Sequence, residues 1–438
     1  MITGPLAGQV RRTAHLIASR LADAGYVADR VAASTADPNT SGARRASSLL
    51  AGDAGIAMVL RLASEADPES GDHWRRAAHG TLTRAVRSTH DRPLFGHGIV
   101  GGSAGLALAL SEFAAGDQRY QRPLDSLHTR LADQLGARDK PAVGSHASIA
   151  EYDALQGAAG TLGYLLSVPG PDAALRDGVH GLVDELVRLC TPAPAEAESR
   201  WVVPPEDYPL LPRDLEEYPH GYINLGLAHG IPGPLAALSL AWRAGYRRPG
   251  LREAIGNGIA LLSSAAVEDG FGIDWPSGIA MDPEGRRTQA RHPARTAWCY
   301  GAPGIAAALL IAADALEDEE LRAYAVAAFE AALRRSEEHI HTLSPTICHG
   351  LAGLLAVCEV FARTTDSVQA RAALPVLTER LLAHCSEDLA FGVQNLEMPD
   401  LRIDNPDFLC GAAGVAAVLW TVSAPAPRRR WQRALLIA

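Results

Sequence analysis

The sequence of 438 residues is poor in several residue types whose abundance would mark a particular class of protein. It has 6 cysteines, too few for the disulfide framework of a small secreted protein. Aromatic residues make up 5%, and runs of the β-branched and aromatic residues typical of strands are scarce. No apolar run approaches the ~18 residues that a membrane span needs. With 47% hydrophobic and 21% charged residues, the chain has the balance of a folded globular protein, which excludes disordered and collagen-like architectures.

Lysine is almost absent, because Lys140 is the single lysine among 40 basic residues. Against these stand 50 acidic residues, giving a formal net charge of -10. An acidic chain is a poor match for nucleic acid or anionic membranes, so we expect no nucleic-acid partner and no membrane insertion. The N-terminal segment lacks the continuous apolar core of a signal peptide. A reducing, cytoplasmic location is therefore expected.

A short pattern recurs seven times: a glycine, two residues, a second glycine and then an apolar run. We call these the glycine turns, and number them from the first to the seventh by their leading glycines: Gly52, Gly102, Gly157, Gly230, Gly301, Gly350 and Gly411. Glycine permits a tight turn and close backbone approach, and the small apolar run suits a buried helix. More amphipathic stretches lie between the turns, at 321–340 and 368–385. Each repeat is therefore predicted to contain an outer helix, a glycine turn and an inner helix.

These repeats predict an all-α fold, an α/α toroid (a double seven-helix barrel) of seven helix pairs. Neither terminal repeat has the polar outer face that an open array requires. The expected organisation is one domain over residues 1–438, with a proline-rich insertion near 195–222. The five prolines at 201–222 exclude a continuous helix. A long surface loop is the plain interpretation, and a lip that meets the substrate is the functional alternative.

Residue types that bind metals cluster just before three successive turns. His229 precedes the fourth leading glycine, Cys299 lies two residues before the fifth, and Cys348 and His349 precede the sixth. If the repeats are equivalent, these residues approach one another at one end of the inner helices. Two thiolates and one imidazole suit Zn²⁺, and three protein ligands leave a fourth position open, as in catalytic zinc sites. The sequence therefore predicts zinc held by Cys299, Cys348 and His349.

The other cysteines and one histidine pair receive different interpretations. Three cysteines on apolar segments are predicted to be core residues: Cys190, Cys358 and Cys385. Cys410 directly precedes the seventh leading glycine, which makes it a candidate member of the cluster with no assigned role. His339 and His341 are expected to be solvated at a helix end.

The motifs Ala-His-Gly, Trp-Cys-Tyr-Gly-x-Pro-Gly and Cys-His-Gly, set on seven glycine turns, resemble the lanthionine synthetase C family over about residues 45–420. The resemblance implies an α/α toroid with a central zinc ion. It also implies a peptide cyclase that adds cysteine thiols to dehydroalanine or dehydrobutyrine, forming lanthionine and methyllanthionine. The implied partner is a dehydrated precursor peptide of leader and core, with a dehydratase and a transporter as candidate members of one complex.

The resemblance also implies roles for four residues around the metal. His229 matches the acid/base histidine, Asp153 resembles an aspartate near the metal, and Arg295 and Tyr300 resemble two further active-site residues. Imidazole suits proton transfer to an enolate, and Arg295 or Tyr300 would stabilise the enolate oxygen. Structural roles are the alternatives: Asp153 as a helix cap, Arg295 in an ion pair and Tyr300 packing its turn.

Three other functions compete with the peptide cyclase. An enzyme that adds glutathione or another small thiol to dehydrated residues would use the same zinc site. A zinc prenyltransferase subunit would need an aromatic-lined funnel, which 7 Phe and 7 Trp supply poorly. A non-catalytic scaffold that binds peptide would need neither the complete ligand set nor His229.

Overall fold

The computed structural model describes most of the chain. The described ranges are residues 2–35, 44–138, 148–191, 200–208, 212–288, 294–338, 344–398, 401–424 and 429–438. Lys140, His339 and His341 lie outside these ranges, so the expectation of a solvated histidine pair stays a prediction.

Helices dominate the described residues, and the strands are short. The helices are α1 (Gly4–Ala22), α2 (Ala24–Thr35), α3 (Asp53–Ala66), α4 (Gly71–Asp91), α5 (Ser103–Ala114), α6 (Gln121–Gly136), α7 (Ile149–Tyr152), α8 (Ala158–Leu165), α9 (Ala173–Cys190), α10 (Pro212–Glu217), α11 (Pro232–Arg243), α12 (Leu251–Ala265), α13 (Ala302–Leu316), α14 (Glu319–Glu337), α15 (Leu351–Thr364), α16 (Val368–Leu382) and α17 (Ala412–Ser423). The strands are β1 (Val202–Val203), β2 (Tyr222–Asn224), β3 (Val267–Asp269), β4 (Gly272–Asp274), β5 (Gly278–Met281), β6 (Arg287–Thr288), β7 (Asn395–Met398) and β8 (Leu401–Ile403).

The chain falls into two compact units. Unit 1 combines Met1–His128 with Thr342–Gln432, and unit 2 combines Thr129–His341 with Arg433–Ala438. The first, second, sixth and seventh glycine turns belong to unit 1, and the third, fourth and fifth belong to unit 2.

The glycine turns begin the inner helices, as predicted. In six turns the helix starts directly after the leading glycine, and in the fourth it starts at Pro232, two residues after Gly230. The inner helices are buried around their circumference: every residue from Ala302 to Ala313 of α13 is buried, and so is all of α17. Such helices need an apolar sequence with small side chains on every face.

Outer helices cover the inner ones within each unit. In unit 2, α9, α12 and α14 pack on α8, α11 and α13, and α11 contacts both of its inner neighbours. In unit 1, α4 packs on α3 and α16 packs on α15, while α17 contacts both α15 and α3. The outer helices are buried along one stripe, as in α14 at Leu321, Ala325, Ala328 and Phe329. This spacing is that of an amphipathic helix.

The N-terminal helix supplies the outer partner of the last inner helix, which the sequence did not reveal. α1 packs on α17, and Ile2 N donates to Val422 O at 3.0 Å. Arg20 donates through its guanidinium to the carbonyl of Leu389, and Tyr26 donates to Ala390 O at 2.7 Å. The seventh helix pair is thus formed from opposite ends of the chain.

The proline-rich insertion is part of a small sheet rather than a simple surface loop. The order β1-β2-β5-β6 is antiparallel, with Val203 opposite Tyr222 and Asn224 opposite Gly278. Residues 195–199 and 209–211 lie outside the described ranges. All three residues of β2 are buried, and β2 leads directly into the fourth glycine turn. The prediction of a break in helical structure is confirmed.

Membrane insertion finds no support among the helices. In the described ranges, none combines the length and apolar character needed to span a bilayer.

The glycine at the fifth turn is required by its backbone, and its replacement gives a first testable prediction. Gly301 has φ 103°, and a Cβ there would overlap the carbonyl oxygen of Arg295. We expect Gly301→Ala to lower the free energy of unfolding by at least about 2 kcal/mol, because alanine is strained at positive φ. Gly256→Ala is the matched control, since Gly256 is an exposed residue of α12 with nothing near its Cβ direction. It should raise stability by about 0.5 to 1 kcal/mol. Urea denaturation measures both, and a neutral Gly301→Ala would contradict the requirement.

The cysteines predicted to be core residues yield a second prediction; Cys190 and Cys358 are buried as predicted, whereas Cys385 is partly exposed. Burial raises the pKa of Cys190 to about 12 and the pKa of Cys385 to about 12, and it raises the pKa of Cys358 further. Because the thiolate is the reactive form, all three should resist iodoacetamide at pH 8 in the native protein. They should react fully in denaturant, as peptide mass spectrometry can determine. Rapid native labelling of Cys190 or Cys358 would show that these thiols are not core residues.

Candidate metal centre and acid–base pair

A histidine and an aspartate form a hydrogen-bonded pair in unit 2. His229 Nδ1 lies 2.8 Å from Asp153 Oδ2, with the Asp153 side chain 1% exposed and that of His229 34% exposed. Asp153 Oδ1 accepts backbone hydrogen bonds from Leu155, Gln156 and Gly157 at 3.0, 2.6 and 2.9 Å. Since a carboxylate only accepts, the network assigns a proton to Nδ1, so that in the neutral imidazole Nε2 carries the lone pair. Asp153 thus both caps its turn and orients His229.

Backbone hydrogen bonds between consecutive turns place these residues. In unit 2, Ala154 N donates to Ala228 O at 3.1 Å, and Ala228 N donates to Cys299 O at 3.3 Å. Ala228 and Cys299 each lie two residues before a leading glycine, so equivalent positions of neighbouring turns are bonded to each other. We call this series of bonds the turn ladder. It brings Asp153, His229 and the Cys299 backbone to the same end of the inner helices of unit 2.

The turn ladder recurs in unit 1. Cys348 N donates to Leu409 O at 3.0 Å, and Leu409 N donates to Leu50 O at 2.9 Å. These three residues again lie two positions before their leading glycines, in the sixth, seventh and first turns. The equivalence of the repeats, assumed from the sequence, is therefore observed within each unit.

Tyr300 is held beside the acid–base pair by a residue of the insertion. Asn224 Nδ2 donates to the Tyr300 hydroxyl at 3.0 Å, and Asn224 Oδ1 accepts from Gly226 N at 2.9 Å. Burial, together with the nearby Tyr222, raises the pKa of Tyr300 well above its ordinary value. Tyr300 therefore remains a neutral phenol that keeps its O–H as a hydrogen-bond donor. Its ring centroid lies 6.5 Å from that of His229.

Asn224 and Gly226 are site residues that the sequence did not identify. A Cβ at Gly226 would lie 2.6 Å from Tyr300 Cε1 and 2.7 Å from Cys299 O, so a glycine is needed for this close approach. In the sequence, these two residues are marked only by their position between the insertion and the fourth turn.

Arg295 and Cys299 differ in their exposure to solvent. The Arg295 side chain is exposed, and within the described residues it makes no ion pair or hydrogen bond, so the carboxylate-pairing alternative is not observed. Cys299 is 6% exposed and its carbonyl takes part in the turn ladder of unit 2. A role of Cys299 as a zinc ligand stays a prediction.

A metal-type donor group lies in unit 1. The donor atoms of Cys348, His349 and Cys410 all lie within 4.8 Å of one another. His349 is 7% exposed, whereas both thiols are partly exposed. Two thiols and an imidazole at such distances are a donor set suited to Zn²⁺. The structure thus brings the predicted ligands Cys348 and His349 together and adds Cys410, which the sequence left unassigned.

A series of polar side-chain contacts connects Ser344, which precedes the sixth turn, with His349 through residues of β7. Ser344 Oγ and Thr346 Oγ1 both contact Asn395 Oδ1, at 2.9 and 3.3 Å, and Asn395 Nδ2 donates to Glu397 Oε1 at 2.5 Å. Glu397 Oε2 lies 3.8 Å from His349 Nε2. Metal-binding imidazoles commonly face a carboxylate with their second nitrogen, and Glu397 is suited to that role. It lies on β7, outside the repeats, where the sequence offered no signal.

The seventh turn is fixed by a buried ion-pair network. Arg44 contacts Asp407 Oδ1 through Nε at 2.8 Å and Asp53 Oδ1 through Nη2 at 2.6 Å. Burial raises the pKa of Asp407, although the charge of Arg44 opposes this. The network joins the first and seventh turns of unit 1 and holds the segment that ends at Cys410.

Comparisons with known proteins agree with this fold and its motifs. The nisin biosynthesis protein NisC of Lactococcus lactis subsp. lactis is 24% identical over 312 residues, covering 71% of this chain and 73% of that protein. A solved structure of nisin cyclase matches with a TM-score of 0.76 at 22% identity, covering 90% of this chain and 92% of that one. This likeness confirms the predicted all-α toroid fold class. The model of the family described as "Lanthionine synthetase C-like protein" matches residues 45–436, so the chain belongs to the lanthionine synthetase C-like family.

Proposed function

We propose that this protein is a zinc-dependent peptide cyclase. It adds cysteine thiols to dehydroalanine or dehydrobutyrine within a dehydrated precursor peptide, and so forms lanthionine and methyllanthionine rings. The observation that carries the proposal is the group of two thiols and one imidazole within 4.8 Å at the glycine turns of a lanthionine synthetase C-like chain. The relatives named for nisin support a peptide of this kind as substrate. A cytoplasmic location, and a complex with a dehydratase and a transporter, belong to the same proposal.

The proposed zinc ligands are Cys299, Cys348 and His349. Cys299 and Cys348 occupy the same position of consecutive turns, two residues before the leading glycine, which supports a shared role. When bound, Zn²⁺ in such a donor set keeps a substrate thiol deprotonated and nucleophilic near neutral pH.

In this proposal, His229 accepts the proton of the substrate thiol and later donates it to the product. Its Nε2 accepts the proton of the incoming thiol, while Asp153 holds Nδ1–H and stabilises the imidazolium that forms. The sulfur then bonds to Cβ of the dehydro residue, and the electron pair of the C=C bond moves into an enolate. His229 returns its proton to the α-carbon, which completes the thioether without net proton change.

The enolate oxygen needs a hydrogen-bond donor as its charge develops. We propose Tyr300 for this role, because its neutral O–H lies near His229 and its orientation is fixed by Asn224. Arg295, whose guanidinium is exposed, is the second proposed donor.

Metal content gives the third prediction. The purified protein should hold about one zinc ion per chain, and Cys348→Ala or Cys299→Ala should lose most of it, because removing a thiolate ligand weakens zinc binding. Cys385→Ser is the control, as this cysteine lies at a helix end away from the turns and should leave zinc content unchanged. Elemental mass spectrometry measures all four proteins. A wild-type protein purified without zinc, or a fully active Cys299→Ala, would show the mechanism to be wrong.

The acid–base pair gives the fourth prediction. His229→Ala and Asp153→Asn should keep their zinc but cyclise about 100-fold more slowly or worse, since general acid–base catalysis is lost. His220→Ala is the matched control, because His220 is an exposed histidine of the preceding insertion.

Cyclisation conserves mass, so the assay counts the thiols that remain alkylatable in a dehydrated peptide over time. Normal rates in His229→Ala would remove this residue from the mechanism. Efficient addition of glutathione to a cysteine-free dehydrated peptide, with no ring formation in its cysteine-containing counterpart, would favour the small-thiol alternative instead.

A further inference from the structure

Cys410 lies among the metal donors without being one of the three proposed ligands. Its Sγ, the Cys348 Sγ and a ring nitrogen of His349 are mutually within 4.8 Å, close enough for one metal ion to contact all three. Zinc–sulfur bonds of about 2.3 Å place two thiolates of one tetrahedral site roughly 3.8 Å apart, so only a small adjustment separates this arrangement from ligation.

The backbone that leads into Cys410 is fixed by hydrogen bonds, an ion pair and burial. Leu409, its neighbour, accepts from Cys348 N at 3.0 Å and donates to Leu50 O at 2.9 Å. Asp407 is tied to Arg44 at 2.8 Å, and Phe408 is fully buried. Cys410 is therefore presented to Cys348 and His349 by the fold itself rather than by a loose segment.

The Cys410 side chain also has access to solvent. It is partly exposed, unlike the buried Cys190 and Cys358. A ligand that must leave a metal during turnover needs such an exit, whereas a purely structural ligand does not.

We propose that Cys410 is a fourth zinc ligand that occupies the position of the substrate thiol until the peptide arrives. This inference rests on the proposed zinc site. In the exchange, the bond from the metal to Cys410 Sγ breaks and a bond to the substrate sulfur forms. The proton of the substrate thiol goes to His229, and Cys410 leaves the metal as a thiolate.

The exchange is balanced in charge as well as in atoms. One thiolate replaces another, so the charge of the centre is the same before and after the substrate binds. When the thioether product departs, the Cys410 thiolate returns to the metal. Between turnovers Cys410 thus keeps water away from the centre.

Cobalt substitution tests the ligand count independently of catalysis. Co²⁺ bound by thiolates has charge-transfer absorption that grows with each sulfur ligand. In Cys410→Ala the absorption per bound cobalt should fall by about one third, because three thiolates become two. Adding N-acetylcysteine should restore it in Cys410→Ala and leave the wild type unchanged. Cys385→Ser should match the wild type throughout.

Alkylation of the wild type provides a second readout that needs no folded variant. With zinc bound, Cys410 should react with iodoacetamide at least about 10-fold more slowly than in chelator-treated protein, and N-acetylcysteine should accelerate it. Equal rates with and without zinc, or an unchanged cobalt spectrum in Cys410→Ala, would overturn the role of Cys410 alone. A wild type that binds neither metal would overturn the proposed zinc site together with this inference.

Discussion

The turn ladder is the constraint on which the rest of the site depends. Each bond joins buried backbone groups that would otherwise lack a partner, at a cost comparable to a lost hydrogen bond. It also sets the register of the turns, because Ala154, Ala228 and Leu409 directly adjoin the functional residues. A slip by one residue in a single turn would move the neighbouring histidine or cysteine out of place. The leading glycines meet a separate constraint, since a side chain there would overlap the backbone of the segment just before the same turn.

One position of the repeat carries a carboxylate in both units, with different consequences. Asp153 and Asp407 each lie four residues before a leading glycine. Asp153 accepts three backbone hydrogen bonds from its own turn and faces an imidazole, so it serves the acid–base pair. Asp407 faces Arg44, so it joins two turns. The repeat thus has a position that holds a buried carboxylate. The role of that carboxylate depends on the side chain that faces it, which is an imidazole for Asp153 and a guanidinium for Asp407.

The sequence was informative wherever a signal repeated. The seven glycine turns predicted where the inner helices begin, because close backbone approach demands glycine at each of them. The same spacing indicated that Cys348 and His349 of the sixth turn belong to a metal site. It also made Cys410, which directly precedes the seventh leading glycine, a candidate member of that site. Asp153, Arg295 and Tyr300 came from family resemblance rather than from any pattern.

What the sequence did not reveal lies outside the repeats. Asn224 and Glu397 act through a few side-chain contacts from two short strands, β2 and β7, and no periodicity marks such residues. The partnership of α1 with α17 joins opposite ends of the chain, and amphipathicity predicts a buried face without naming what covers it. Which helix packs on that face depends on the tertiary structure, and the local sequence does not specify it.

That partnership has a consequence for the order in which the protein is made. Unit 1 contains the first 128 residues and a segment that begins at residue 342, so it is interrupted by nearly all of unit 2. At about 5 to 20 residues per second, ribosomal synthesis leaves the apolar face of α1 without α17 for many seconds. Unit 2, whose main segment is continuous, can form during that interval. The nascent chain therefore carries α1 with the face that α17 will cover still exposed through most of its translation.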